Sequence, residues 1–359
     1  MKPIYFTPGP SQLYPTVEKH VHDALEKSIP SWSHRSEDFK NIFRNATDGV
    51  RKVMNAPKET HVFFLGSGTE AMERTVQNMV EKRSFHFVNG SFSKRLYKTA
   101  SQLGKQPEKI EAPPGQPFGF SKANIPNETE LLCFTQNETS MGLKIPMGGI
   151  SEMKMRYPGA LVAVDVVSSA PCVDVDWDAV DCTFFSVQKC FGLPAGLGVV
   201  IANEHAMEKA KMLAQKGVST GSFHSFTEMA AYEEKSQTPE TPNVLSMYLL
   251  GKVCEDFQNR GVGAIKKEAK EKASLLYDYF DAHPVHKPFV DDVEVRSDTV
   301  IVAKTPEGSK PLIAKLKEKG LVIGAGYSDY KDTQIRIANF PAHSVKDMKH
   351  LLDEFSKIV

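Results

Sequence analysis

The sequence predicts an α/β protein with a mostly parallel sheet, helices on both faces of that sheet, and a smaller C-terminal α+β domain. Between residues 60 and 202, short apolar runs alternate with helical patterns, and unbroken apolar runs are typical of strands buried on both faces. The chain has 359 residues, more than one hydrophobic core usually holds, which favours two domains. The predicted strands of the sheet are residues 61–65, 85–88, 131–135, 161–164, 180–186 and 198–202.

The elements between and after these strands fit the same architecture. Residues 70–82 carry an apolar stripe at helical spacing, which predicts a crossover helix after the first strand. A helical region over 244–281 is broken near Gly261 and Gly263. We therefore predict a large domain over 16–250 and a small domain over 251–359 together with 1–15. The small domain is expected to contain the segments 293–295, 299–303, 311–319 (helix), 334–338 (strand) and 345–357 (helix).

Composition excludes several classes of protein. The chain has 44 basic and 44 acidic residues, so its net charge indicates no affinity for nucleic acid or an anionic membrane. Its apolar runs are too short to cross a bilayer, and the N-terminus lacks the apolar core of a signal peptide, so we expect a cytoplasmic protein. The five cysteines are scattered and the histidine pairs lack ligand spacing, so we expect no metal.

Lys189 and Asp165 are the strongest candidates for catalytic residues. Lys189 follows the apolar strand 180–186, and Asp165 directly follows the apolar stretch 161–164. A lysine amine that forms a Schiff base, together with a carboxylate facing a pyridine nitrogen, is what pyridoxal phosphate requires of a protein. Either residue alone is weak evidence, because most lysines are solvated and an Asp at a strand end is commonly a cap or turn residue.

The segment Gly66-Ser67-Gly68-Thr69-Glu70-Ala71 follows the first predicted strand and opens a helix. Free backbone amides and the helix dipole favour a phosphate at such a position. The segment also matches the dinucleotide fingerprint, but that fingerprint needs an acidic residue at the end of the second strand, where this chain has Val88-Asn89-Gly90. The dinucleotide interpretation is therefore the weaker one, and a capped helix start without a ligand is a further alternative.

Two further segments converge on the same edge of the predicted sheet. Asn137-Glu138-Thr139 ends the strand 131–135, and ligands of such sheets bind outside the carboxyl ends of the strands. Phe92 follows the strand 85–88 and could stack on a planar cofactor, although an aromatic residue there is more often part of the core.

Taken together, these segments resemble the class V aminotransferases, which are pyridoxal-phosphate enzymes of fold type I. Within that family the chain is most similar to the phosphoserine aminotransferase branch. The resemblance covers most of the chain and is most specific at Gln188-Lys189 followed by residues 192–197. The other matching segments are residues 7–10, 34–39, 66–69, 137–139, 238–242 and 335–337.

The resemblance implies a role for each candidate residue. Lys189 would be the Schiff-base lysine and proton shuttle, with Asp165 at the pyridine nitrogen, Phe92 over the ring and Thr139 near the phenolic oxygen. Gly68, Thr69 and Gln188 would hold the cofactor phosphate, and Gln237 and Thr238 would reach in from a second subunit, so the site would require a homodimer. Glutamate would be the amino donor and 3-phosphohydroxypyruvate the acceptor.

Substrate recognition is expected to involve Arg336, His34 and Arg35. A guanidinium binds a carboxylate in a two-pronged geometry, which makes Arg336 the candidate for the substrate α-carboxylate, unless it is a solvated residue of a strand face. His34 and Arg35 match the position that contacts the substrate phosphate in the resembling family, or they belong to a surface loop.

The loop over residues 324–332 departs from the family pattern. Phosphoserine aminotransferases commonly carry a second His-Arg pair there, whereas this loop has Tyr327 and Lys331 as its possible substitutes. Relatives without such a pair are the alanine-glyoxylate or serine-pyruvate transaminases, which form the alternative function. A cysteine desulfurase would need a cysteine after Cys254, and the sequence has none. A catalytically silent scaffold would be expected to lack Lys189 or Asp165.

Overall fold

The computed structural model describes residues 2–358, which form an α/β fold around a seven-stranded sheet and a separate four-stranded sheet. The helices are α1 Val17–Glu26, α2 Glu37–Val53, α3 Gly68–Met79, α4 Ser91–Gln102, α5 Met147–Arg156, α6 Glu204–Gln215, α7 Phe226–Glu233, α8 Val244–Arg260, α9 Val262–Ala282, α10 Ser309–Glu318 and α11 Val345–Ile358. The strands are β1 Ile4–Phe6, β2 His61–Leu65, β3 Arg83–Val88, β4 Gln106–Glu111, β5 Leu131–Thr135, β6 Asn137–Glu138, β7 Leu143–Lys144, β8 Leu161–Asp165, β9 Cys182–Ser186, β10 Gly198–Ala202, β11 Val300–Lys304, β12 Leu321–Ala325 and β13 Gln334–Ala338.

The large sheet has the strand order β2-β10-β9-β8-β5-β3-β4. Its pairs are parallel except at β10, which is antiparallel to both β9 and β2. The predicted α/β class with a mostly parallel sheet is therefore confirmed. Register places Thr135 beside Asp165, and Asp165 beside Phe184, so the carboxyl ends of β5, β8 and β9 meet at one edge.

Helices cover both faces of this sheet because its central strands β5 and β8 are buried along almost their whole length. Along β8, Val162 and Val164 belong to a core that includes residues of α2 and α8, whereas Ala163 belongs to a second core with residues of α3 and α6. Successive side chains of a strand point to opposite faces, so an unbroken apolar run supplies both cores. Each buried valine contributes about 1.5–3 kcal/mol of hydrophobic stabilisation.

The small sheet has the order β1-β12-β13-β11 and joins the two ends of the chain. β1 pairs in parallel with β12, with Ile4 beside Leu321. The segment after β1 then crosses to the large sheet, where Ser11 N donates to Gln188 O at 3.1 Å and Tyr14 N donates to Gly192 O at 2.8 Å. The N-terminal segment is thereby fixed beside Lys189.

Several elements differ from the sequence expectation, and three of them have a clear physical reason. The edge strand β4 was not predicted, because its residues are mostly polar and largely exposed and give no apolar run. β12 was missed because Gly324 interrupts its apolar pattern; a Cβ there would lie 2.9 Å from Pro8 Cδ, so the glycine allows a close approach. Residues 293–295 form a 3-10 turn, since Val293 is exposed and the Asp292 side chain accepts a hydrogen bond from Glu294 N.

The division into domains at 250/251 stays a prediction, and its end residues Met1 and Val359 lie outside the described range. Within residues 2–358 no helix has the length and apolar character needed to cross a membrane. Over the same range, no cluster of three His, Cys, Asp or Glu side chains is arranged to hold a metal ion. The expected absence of a metal stays a prediction.

Candidate active site

A cavity of about 290 Å³ lies at the edge of the large sheet where β5, β8 and β9 end. Residues at the starts of α3 and α4 and the N-terminal segment complete its wall. Seven of the residues predicted from the sequence line this cavity, and they come from five separate segments of the chain. They are Gly68, Thr69, Phe92, Thr139, Asp165, Gln188 and Lys189.

Lys189 is buried in this cavity. Its Nζ donates a hydrogen bond to Pro8 O at 2.8 Å and lies 5.6 Å from the centre of the Phe92 ring. Burial lowers the pKa of Lys189 to about 8, an effect that the Asp165 carboxylate opposes and the Arg336 guanidinium reinforces. The amine is therefore neutral in a substantial fraction of molecules near pH 8, which suits a nucleophile or a proton acceptor.

Asp165 is the last residue of β8 and is also buried. Its Oδ1 accepts a hydrogen bond from Val167 N at 2.9 Å, and its side chain lines the cavity. Burial raises the pKa of Asp165 to about 7; the Val167 amide opposes this shift and the nearby Glu138 charge adds to it. A cationic group in the cavity would favour the ionised carboxylate.

The start of α3 offers backbone amides to the cavity. Ser67 caps the helix, with its Oγ accepting from Glu70 N at 3.1 Å. A Cβ at Gly68 would lie 3.0 Å from Ser186 Oγ, so a glycine lets the first turn of the helix approach the end of β9. The first amides of a helix have no intrahelical acceptor, and such a position favours the binding of an anion.

Phe92, Tyr327 and Arg336 form a connected group on the other side of the cavity. The Phe92 and Tyr327 ring centres are 5.1 Å apart, and the Arg336 Cζ lies 5.2 Å from the Tyr327 ring centre. Arg336 Nε donates to Ala325 O at 2.8 Å. Burial lowers the pKa of Arg336 to about 10, so the guanidinium stays charged. Arg336 does not line the cavity; it packs against Tyr327, which does.

Four predicted residues are grouped elsewhere and do not line this cavity: His34, Arg35, Gln237 and Thr238. One terminal nitrogen of Arg35, Nη1, donates to Gln237 Oε1 at 2.8 Å and to Thr238 O at 2.9 Å. The Arg35 guanidinium also lies 5.0 Å from the centre of the Tyr232 ring. Burial lowers the pKa of the adjacent His34 below its usual range. Arg35, Gln237 and Thr238 therefore form a hydrogen-bonded group outside the cavity, and His34 precedes Arg35 in the chain.

Sequence reasoning gave no individual role to several other cavity residues. Gly9 has φ +136°, and a Cβ there would lie 3.0 Å from Lys189 Nζ. The Pro-Gly-Pro sequence around Gly9 is the feature that could have indicated its importance. Arg95 lies one helical turn after Phe92, so the spacing of α4 could have indicated it. Of the two proposed substitutes for the absent His-Arg pair, Tyr327 lines the cavity, whereas Lys331 is exposed outside it.

Comparison with known proteins defines the family. The family model "Aminotransferase class-V" matches residues 4–331. A crystal structure of a phosphoserine aminotransferase from Cytophaga hutchinsonii ATCC 33406 is 44% identical, covers 99% of each chain and has a TM-score of 0.97. The phosphoserine aminotransferase of Rhodococcus opacus (strain B4) is 26% identical over 359 residues, covering 98% of this chain and 94% of that protein. The chain belongs to the class V aminotransferases.

Aminotransferases that are named for other substrates have the same fold. An alanine-glyoxylate aminotransferase from Nostoc sp. has a TM-score of 0.82 at 20% identity, covering 100% of this chain and 95% of that one. The predicted class is confirmed: the chain is a transaminase of fold type I, its cofactor is pyridoxal phosphate and its substrates are small amino and oxo acids. The roles of individual residues and the dimer stay predictions.

Proposed function

We propose that this chain is a phosphoserine aminotransferase that transfers the amino group of glutamate to 3-phosphohydroxypyruvate. The observation that carries this proposal is the 44% identity with the Cytophaga phosphoserine aminotransferase over 99% of both chains. A cavity that holds a buried lysine and a buried aspartate supports the chemistry.

The cavity residues fit pyridoxal phosphate. Lys189 would hold the cofactor covalently, and Asp165, whose raised pKa reflects a buried carboxylate, would hold the ring nitrogen. Phe92 would contact the ring face, and Thr139 the phenolic oxygen. The phosphate would bind at the start of α3, where Gly68 lines the cavity and the first backbone amides of the helix have no intrahelical acceptor. Thr69 and Gln188, which line the same corner, would complete that phosphate site.

When bound, pyridoxal phosphate supplies an aldehyde that combines with amines and a ring that withdraws electrons from the substrate α-carbon. The protein residues orient the substrate and move the proton. Lys189 Nζ, with its pKa lowered to about 8, accepts the α-proton of the amino donor and returns it during the second half-reaction. Arg336 binds the α-carboxylate and so fixes the α C–H bond relative to Lys189.

The two candidate functions differ in whether the enzyme recognises a second acidic group of the substrate, in addition to its α-carboxylate. His34 and Arg35 would bind the phosphate of 3-phosphohydroxypyruvate or the side-chain carboxylate of glutamate. The loop that carries a second His-Arg pair in many phosphoserine aminotransferases instead presents Tyr327 to the cavity. This single observation favours the alternative, an alanine-glyoxylate or serine-pyruvate transaminase, because a phenol adds no positive charge.

One experiment separates these candidates. The purified holoenzyme is treated with glutamate until its yellow absorbance is lost, and the free glutamate is then removed. Three oxo acids are added separately: 3-phosphohydroxypyruvate, glyoxylate and pyruvate. We expect 3-phosphohydroxypyruvate to restore the absorbance with a second-order rate constant about 100-fold above the others, as two charged contacts would give. Faster restoration by glyoxylate or pyruvate would replace the proposed function by the alternative.

We infer further that the active enzyme is a homodimer in which His34, Arg35, Gln237 and Thr238 of each copy enter the site of the other. The contacts of Arg35 with Gln237 and Thr238 support this, because they hold the group together outside the chain's own cavity. Closed two-fold symmetry would then complete both sites equally.

Subunit mixing tests the shared site. Lys189→Ala inactivates a subunit's own cavity, and the double variant Gln237→Ala/Thr238→Ala impairs the cavity of its partner. Each variant alone should be nearly inactive, while a co-expressed equal mixture should regain about a quarter of the wild-type activity, since each mixed dimer contains one intact site. Absence of recovery in mixed dimers isolated by two different affinity tags would contradict the shared site. The cytoplasmic location stays a prediction.

A further inference from the structure

Helix α4, which carries Phe92, has an N-terminus without a capping side chain of its own. Its N-cap residue is Gly90. The unpaired amides of a helix start normally need a side-chain acceptor, and a glycine cannot supply one. Here the acceptor comes from another strand: Glu138 of β6, whose side chain is fully buried.

Five donors converge on the Glu138 carboxylate. Oε2 accepts from Phe92 N at 3.1 Å, from Ser93 N at 2.9 Å and from Ser93 Oγ at 2.9 Å. Oε1 accepts from Ser140 N at 3.2 Å and from Ser140 Oγ at 2.6 Å. A carboxylate at a helix start is stabilised by the helix dipole as well as by charge-assisted hydrogen bonds.

The space for this carboxylate depends on Gly90. A Cβ at position 90 would lie 2.5 Å from Glu138 Cδ and 2.7 Å from Ser140 Oγ, so any side chain there would displace the carboxylate. The φ of Gly90 is 176°, which every residue adopts, so the requirement for glycine is one of space and not of backbone conformation.

We propose that Glu138 is a positioning residue for the cofactor, acting by holding the first turn of α4 so that the Phe92 ring faces the cavity. The proposal rests on the proposed function, because it assigns Phe92 to the cofactor ring. Glu138 does not line the cavity. Its hydrogen bonds reach the cavity through Phe92, and its charge also acts at longer range on Asp165 and Lys189.

Glu130 provides a matched control at the opposite end of β5. Its carboxylate also accepts from backbone amides, those of Glu81 at 2.8 Å, Lys82 at 2.7 Å and Arg83 at 2.9 Å. In Glu138→Gln, an NH2 group, which only donates hydrogen bonds, replaces one carboxylate oxygen. At least one of the surrounding N–H or O–H donors therefore loses its acceptor. Glu130→Gln makes the same chemical change far from the cavity.

Two measurements on the apoprotein test the proposal. Amide hydrogen exchange at Phe92 and Ser93 should be faster in Glu138→Gln than in wild type and unchanged in Glu130→Gln. The dissociation constant for pyridoxal phosphate should rise about 10-fold or more in Glu138→Gln only, as expected for loss of a charge-assisted cap. Equal exchange and equal affinity in Glu138→Gln and Glu130→Gln would overturn the proposal.

A double-mutant cycle with Phe92→Ala separates positioning from general destabilisation. If Glu138 acts through the position of Phe92, Glu138→Gln should change the cofactor affinity several-fold less in the Phe92→Ala background than in wild type. The loss of the Glu138 charge near Asp165 and Lys189 is common to both backgrounds and cancels in this comparison. Additive effects would overturn the proposal. If Glu138→Gln does not fold, Gly90→Ala replaces it, because the added Cβ displaces the same carboxylate; normal cofactor affinity in that variant would contradict the proposal.

These outcomes are distinct from failure of the proposed function. A wild-type protein that does not bind pyridoxal phosphate would contradict the proposed function itself. A wild-type protein that binds it, with no difference between Glu138→Gln and its control, would contradict the role of Glu138 alone.

Discussion

Lys189 Nζ donates a hydrogen bond to the carbonyl oxygen of Pro8 at 2.8 Å. This contact joins the lysine of the large sheet to a segment that continues from β1 of the small sheet. The same segment places Gly9 against the amine, with a hypothetical Cβ 3.0 Å from Nζ. The N-terminal segment therefore forms one wall of the space that the lysine side chain occupies.

Gly9→Ala should displace the Lys189 amine and weaken cofactor attachment about 10-fold or more. The backbone cost at φ +136° adds about 1–2 kcal/mol of destabilisation. Gly104→Ala is the matched control, because Gly104 has φ +73° and a Cβ there would meet no atom within 4 Å. Attachment is measured by titrating apoprotein with pyridoxal phosphate and recording protein-bound absorbance. Equal losses in the two variants would show that backbone strain, and not contact with Lys189, is responsible.

The rate of cofactor attachment to apoprotein should depend on pH through Lys189. Only the neutral amine is a nucleophile, and burial lowers the pKa of Lys189 from 10.5 to about 8. The rate should therefore rise as pH increases through about 8 and level off above it. Stopped-flow absorbance at a series of pH values measures this. A rise centred near pH 10.5 would mean that the lysine is solvated.

The stability of the apoprotein should depend on pH through Asp165. Burial raises the pKa of Asp165 from 3.8 to about 7, so its protonated form is favoured in the folded state. A raised pKa contributes stability that is fully present below pH 3.8 and lost as pH rises through about 7. The free energy of unfolding of wild type should thus fall by up to about 4 kcal/mol over this range relative to Asp165→Asn. Urea unfolding at each pH measures it, and parallel curves for the two proteins would contradict the raised pKa.

Arg336→Ala should lower kcat/KM for glutamate and for the oxo acid by a similar factor. The expected loss is about 100-fold, equivalent to about 3 kcal/mol, because one two-pronged ion pair with the α-carboxylate is common to both substrates. Arg336→Lys keeps the charge without the fork and should recover part of the loss. Steady-state kinetics with each substrate varied measures both. A loss confined to the oxo acid would reassign Arg336 to the second acidic group.

Much of the architecture was predictable because local patterns determine it. Unbroken apolar runs identify β2, β5, β8 and β10. Of these, β2, β5 and β8 run in the same direction, so their carboxyl ends lie at one edge. Lys189, Asp165 and Gly68 therefore converge without knowledge of side-chain contacts. The edge strand β4 was missed because a strand that buries neither face fully needs no apolar pattern.

The remaining contacts depend on pairing between distant parts of the chain. Gly9 meets Lys189 because β1 pairs with β12 at the other end of the sequence, a pairing that no local pattern reveals. Arg35 contacts Gln237 for the same kind of reason. Glu138 was visible as the centre of the Asn-Glu-Thr segment, yet its role as a cap for α4 depends on the space left at Gly90.

The role of Lys189 is tested most directly by locating the residue to which pyridoxal phosphate attaches. Holoenzyme is reduced with borohydride, digested and analysed by mass spectrometry, with Lys189→Ala as the control. We expect one modified peptide, labelled at Lys189, and no label in Lys189→Ala. Label on a different lysine, or unchanged labelling of the variant, would contradict that role.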